Sequence, residues 1–153
     1  MAKSKTQKFK DAALATTEVK DCYREGLQAL GKHSSKVLLS NSRKAEGSIE
    51  IDACVARKYP NDNRWDYALG YDSEAYFVEV HTANTSEVST VLRKLQWLKD
   101  WLYSEAPEIY RIKAKSRTPY YWVLSKKFAI QKHSKQYRIL AQNGLMPISK
   151  LNL

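Results

Sequence analysis

At 153 residues, with 43% hydrophobic and 27% charged residues and only 5 Gly and 4 Pro, the chain has a globular composition that excludes fibrous and disordered classes. No apolar run approaches membrane-spanning length, and the basic N-terminus lacks the apolar stretch of an export signal, so the expectation is a cytoplasmic protein with no membrane partner. An excess of 26 Lys and Arg over 16 Asp and Glu, a formal net charge of +10, points instead to a polyanionic partner, nucleic acid and DNA foremost.

Residues 1–8 read as a basic flexible tail, and residues 9–153 as one domain. From Phe9 to Leu30, apolar residues recur at spacings of three and four (Phe9, Ala12, Ala13, Thr16, Val19, Tyr23, Leu27, Leu30), which predicts a helix ending at Gly31. Glu18 and Glu25 fall off that stripe. A polar loop follows, interrupted by Val37-Leu38-Leu39. The run GSIEIDACVARKYP then alternates Ile49, Ile51, Ala53 and Val55 with Glu50, Asp52 and Cys54, the pattern of a strand ended at Tyr59-Pro60. Cys22 and Cys54 are far apart and lack CxxC or His-rich context, so two free thiols are expected rather than a zinc site.

Residues 65–81, WDYALGYDSEAYFVEVH, predict a β-hairpin turning at Asp72-Ser73-Glu74. One face carries Trp65, Tyr67, Leu69, Tyr71, Tyr76, Val78 and Val80, a wall suited to a core. The other carries Asp66, Ala68, Gly70, Phe77, Glu79 and His81. Closure about Asp72-Ser73 sets Asp66 directly across from Glu79, where like charges about 5 Å apart repel. A divalent cation between them would reverse the sign of that interaction. With Glu50 and Asp52 on the preceding strand, four carboxylates would gather on one face.

Residues 86–103 predict a helix with Val88, Val91, Leu92, Leu95, Leu98 and Leu102 buried, and with Lys94 bordering that stripe. Pro107 breaks it, and 111–117 is a basic loop or strand edge. Tyr120–Leu124 reads as a strand, 132–142 as a basic helix stopped at Asn143-Gly144, and PISKLNL as a short edge strand. The aromatics Trp97, Trp101, Tyr120, Tyr121 and Trp122 are expected in the core. Lys113, Lys115, Arg117, Lys126, Lys127, Lys132, Lys135 and Arg138 are the candidate phosphate contacts.

This order of elements, with Asp66 ahead of the Glu79-Val80-His81 step, resembles the PD-(D/E)XK nuclease superfamily. The likeness covers residues 9–153 as topology, but only Asp66 and Glu79-Val80-His81 as motif. It implies an α/β fold, a central mixed β-sheet flanked by helices with a restriction-endonuclease-like α-β-β-β-α-β core. It also implies metal-dependent phosphodiester cleavage of nucleic acid, with Asp66 and Glu79 holding Mg²⁺ or Mn²⁺. Asp52 is a further candidate ligand, and Glu25 a further acid. The family's motif lysine is here His81, and Trp65 stands where the family has proline. His81 could act as base near its ordinary pKa of about 6.5, or Lys94 could supply the missing ammonium from the following helix. Many enzymes of this kind work as dimers or as parts of larger assemblies, so the resemblance leaves a homodimer or larger assembly open. The residues equally leave open a domain without turnover: a nucleic-acid-binding or regulatory module that docks through its basic face.

Overall fold

The structure is a computed structural model and describes residues 7–153; residues 1–6, and with them most of the expected tail, lie outside the described residues. Four strands form a mixed sheet in the order β2-β3-β4-β5: β2 (Ala45–Glu50), β3 (Tyr67–Tyr71), β4 (Glu74–His81) and β5 (Tyr120–Leu124). The first three are antiparallel neighbours, whereas β5 runs parallel to β4. A parallel neighbour requires a crossover, supplied by α3 (Val88–Glu105) and α4 (Pro107–Arg111). With α1 (Lys8–Leu14) preceding β2, the chain runs α-β-β-β-α-β through its central elements. Outside the sheet lie a helical turn α2 (Ile51–Cys54), the helix α5 (Lys135–Gln142), and a two-stranded parallel pair, β1 (Val37–Leu38) with β6 (Leu151–Asn152).

Both faces of the sheet are covered. On one, α1, α3, α4 and α5 pack Phe9, Leu95, Leu98, Ile109 and Leu140 against Ala68, Ala75, Phe77 and Trp122. On the other, Leu30, Val37 and Leu151 cover Tyr67, Leu69, Tyr76 and Val78. The face carrying Ala68, Gly70 and Phe77 is thus a second core face beside the predicted wall: the small residues Ala68, Gly70 and Ala75 mark the place where a helix comes close. A Cβ on Gly70 would stand 2.2 Å from the Phe9 Cβ. Trp65 belongs to the helix-side core rather than to the wall of Tyr67 and Leu69.

The hairpin register is as predicted, with Tyr67 opposite Val78 and positive φ at Asp72 (50°) and Ser73 (69°). Both central residues of a tight type I′ hairpin need φ > 0. Two predicted elements differ. The helix expected over 9–30 ends at Leu14, after which the chain runs through turns and short 3₁₀ segments. The strand expected through Ile51 and Val55 stops at Glu50 and turns helical.

Cys22 and Cys54 form a disulfide, correcting the expectation of free thiols. It ties the 3₁₀ turn Lys20–Cys22 to α2 across 32 residues. A thiol reagent should therefore find no free cysteine in the unreduced, denatured protein, and the double substitution Cys22→Ala/Cys54→Ala should lose roughly 3–4 kcal/mol of unfolding free energy. Two titratable thiols would contradict the bond.

Candidate functional site

Asp66 and Glu79 meet at the end of the hairpin remote from its turn, and their side chains replace the strand ladder there. The Asp66 N–H donates to Glu79 Oε1 at 3.0 Å, and the Val80 N–H donates to Asp66 Oδ2 at 3.0 Å. This exchange explains why β3 begins at Tyr67 and not at the predicted Trp65. From α3, Lys94 Nζ donates to Glu79 Oε2 and lies 3.6 Å from Asp66 Oδ1. The Glu79 side chain is 0% exposed, those of Lys94 and Asp66 15% and 19%. One ammonium therefore bridges two carboxylates just beneath the surface, between the sheet and α3.

His81 sits beside them. Its Nδ1 is 3.5 Å from Glu79 Oε2, and its Nε2 is 3.0 Å from Glu87 Oε2. Glu87, in the 3₁₀ turn that leads into α3, thus holds the imidazole from the far side. A carboxylate stands at each nitrogen: the contact with Glu79 raises the His81 pKa, burial opposes it, and Glu87 adds to the rise. Engagement of both ring nitrogens by acids leaves neither open to a substrate water, which counts against His81 as the base.

Burial, followed by the neighbouring Glu79 charge, pushes the Asp66 carboxyl up to about 7, with Lys94 and the Val80 N–H pulling the other way. For Lys94, burial acts to lower the pKa, but the Glu79 and Asp66 carboxylates outweigh it and hold the ammonium charged. The crowding of two acids is thus only partly relieved by one lysine.

The acid pair offers oxygen donors of the kind Mg²⁺ takes, one or two carboxylates with water completing the shell, but Glu79 Oε2 and Asp66 Oδ1 both face the Lys94 ammonium, which a cation between them would have to displace. Asp52 does not join them. It lies in α2 rather than on a strand, and its Oδ1 accepts from Arg64 Nε at 2.8 Å. Glu50 pairs with Tyr67, which sets it on the opposite face of the sheet from Asp66. Among the described residues no group of three or more His, Cys, Asp or Glu side chains is arranged to hold a metal ion, so the expected Asp66, Glu79, Asp52 set reduces to a pair.

Other acids have structural work. Glu18 accepts from Lys58 Nζ (2.7 Å), Tyr59 Oη (3.1 Å) and Trp101 Nε1 (3.1 Å). Glu46 is buried and accepts the Phe9 N–H at 3.2 Å and the Ser73 N–H, clamping the start of α1 to the hairpin turn. Glu25 lies beyond α1, beside Tyr23 and Gly26, and takes no part in the acid pair.

The candidate phosphate contacts divide between the two ends of the sheet. Lys113, Lys115 and Arg117 flank the start of β4, where the Ala114 N–H donates to Ala75 O at 2.9 Å. That is about 20 Å along the strand from His81. Lys126, Lys127, Lys132, Lys135 and Arg138 are exposed and follow β5, whose continuation is fastened to the acid end by the Ser125 N–H to His81 O bond (3.3 Å). Lys36 joins this end, donating to Leu124 O at 2.8 Å. The sequence holds a stronger signal than any single lysine. Residues 109–153 contain 10 Lys and Arg and no Asp or Glu, so this segment alone accounts for the net charge of +10.

No protein-family model, curated protein or solved structure matches this chain. Among the described residues no helix is long and apolar enough to cross a membrane.

Proposed function

We propose that this chain is a metal-dependent nucleic-acid phosphodiesterase with a divergent PD-(D/E)XK site, in which Lys94 of α3 takes the part of the lysine missing from the strand. The observation that carries the reading is the Lys94 ammonium bridging Glu79 and Asp66. Asp66 and Glu79 would hold Mg²⁺ or Mn²⁺, which when bound lowers the pKa of a water and stabilises charge on the scissile phosphate. Lys94, which must give up the two carboxylates to a bound metal, is the group that would then orient the attacking water and offset charge on the phosphate. His81, fixed between Glu79 and Glu87, positions the Glu79 carboxylate. The acid-free segment 109–153 supplies the phosphate-binding surface.

A second reading is a nucleic-acid-binding module of the same fold without turnover. The engagement of both His81 nitrogens by carboxylates favours it, because neither nitrogen is then open to take a proton from an attacking water. A dimer or larger assembly remains part of both proposals. A cytoplasmic setting fits poorly with the Cys22–Cys54 bond, since cytosolic proteins rarely keep a disulfide.

Mn²⁺ titration by calorimetry, paired with plasmid nicking, decides between the two. Wild-type protein should bind Mn²⁺ and nick DNA, whereas Asp66→Asn and Glu79→Gln should lose both while keeping the native circular dichroism. Unchanged Mn²⁺ affinity in both variants would remove the metal site. Salt-sensitive binding without cleavage would select the module.

A further inference from the structure

Phe128 is one of the few large apolar side chains left open to solvent, 38% exposed, and it stands in the sequence Lys126-Lys127-Phe128. The segment around it is anchored rather than loose. The Ala129 N–H donates to Ala83 O at 2.9 Å, the Gln131 N–H donates to Thr85 Oγ1 at 3.2 Å, and Ile130 is buried in the helix-side core. The ring stands nearly at right angles to that of Tyr137, 6.5 Å between centroids. The Ser125 N–H to His81 O bond fixes the other end of this segment. Three residues of chain reach no more than about 10 Å, so Phe128 stands near the His81 end of β4, the end at which Asp66 and Glu79 meet.

An aromatic ring held by main-chain bonds and flanked by cations, in a stretch with no acid, is the arrangement that binds an unpaired base. Phosphates meet the lysines, and the solvent-exposed part of the ring offers apolar surface on which a base can stack. A base inside a duplex has its faces covered by its neighbours and cannot use such a ring. We propose that Phe128 is a stacking residue for an unpaired nucleotide and that it biases the site toward single-stranded or frayed nucleic acid. This rests on the nucleic-acid reading above, and it adds a substrate class to it.

The test is fluorescence anisotropy with a labelled oligonucleotide of about 15 nucleotides, single-stranded or annealed to its complement, at low salt without divalent cation. Phe128→Ala should weaken single-strand binding about five- to a hundredfold and duplex binding by less than about twofold, while Phe128→Trp restores the single-strand affinity. Equal loss on both substrates, no loss on either, or a wild type that binds only duplex overturns the inference and leaves the Mn²⁺ result for Asp66→Asn and Glu79→Gln untouched. A wild type that binds neither overturns this inference together with the nucleic-acid reading.

Discussion

Lys94→Met should reduce metal-dependent cleavage by about 10²- to 10³-fold, the usual effect of deleting one preorganised charge from a transition-state site. The same substitution should lower the unfolding free energy by about 3–5 kcal/mol at neutral pH. Methionine fills nearly the same volume, so packing against α3 survives and the loss is electrostatic. Without the ammonium, Glu79 at 0% exposure faces Asp66 with no counter-charge. Two acids so close cannot both stay ionised, and one takes up a proton. The stability loss should therefore shrink as pH falls toward 4, where protonation relieves the repulsion. Lys94→Arg should recover part of the stability but little activity, because a planar fork cannot occupy the point at which Glu79 Oε2 and Asp66 Oδ1 converge. Urea unfolding at two pH values, together with single-turnover nicking, measures both effects. Full activity in Lys94→Met would end the proposed role of this lysine, and with it the reading of α3 as the source of the missing motif residue.

How far the sequence revealed the fold depends on what the local pattern had to distinguish. A period of two gave the hairpin its register because Asp72-Ser73 allows only one tight closure, and that register brought Asp66 opposite Glu79. Helical phase placed Lys94 correctly because α3 is long and its stripe regular. Phase failed over 9–30, where the same apolar spacing served a different structure. The Thr16 hydroxyl donates to Ala12 O at 2.8 Å at the point where α1 gives out, and the apolar residues beyond it are buried by 3₁₀ turns and the disulfide. Side-chain competition for helix carbonyls of this kind is invisible to periodicity. Ile49 and Ile51 share the helix-side core as an alternating strand would require, yet the chain has already turned helical at Ile51. That turn displaces Asp52 from the acid face. The bond between Cys22 and Cys54 depends on long-range proximity that no local pattern encodes. The split of the basic residues between two ends of the sheet was likewise hidden, because it follows from β5 running parallel to β4.

The remaining large effect concerns pH. Asp66→Asn should stabilise the protein by up to about 4 kcal/mol at pH 8 and by little near pH 4. The folded-state pKa of Asp66 is about 7 against an ordinary 3.8, so the native state holds its proton more tightly than the unfolded chain does. The stabilisation tied to that proton is complete below about pH 4 and is lost as pH rises through about 7. At 1.36 kcal/mol per pH unit the gap amounts to about 4 kcal/mol. Asparagine is neutral at every pH and keeps an oxygen to accept the Val80 N–H, so it avoids the loss without breaking the hydrogen bond that closes the open end of the hairpin. The same proton opposes a divalent cation, which needs the ionised carboxylate. Mn²⁺ affinity of the wild type should therefore climb between pH 6 and 8, and its binding should release protons to buffer. Urea unfolding of wild type and Asp66→Asn across pH 4–8 gives diverging curves if burial and Glu79 together govern Asp66. Parallel curves would mean that Asp66 titrates as a solvated acid, and a site built on two crowded carboxylates would lose its electrostatic basis.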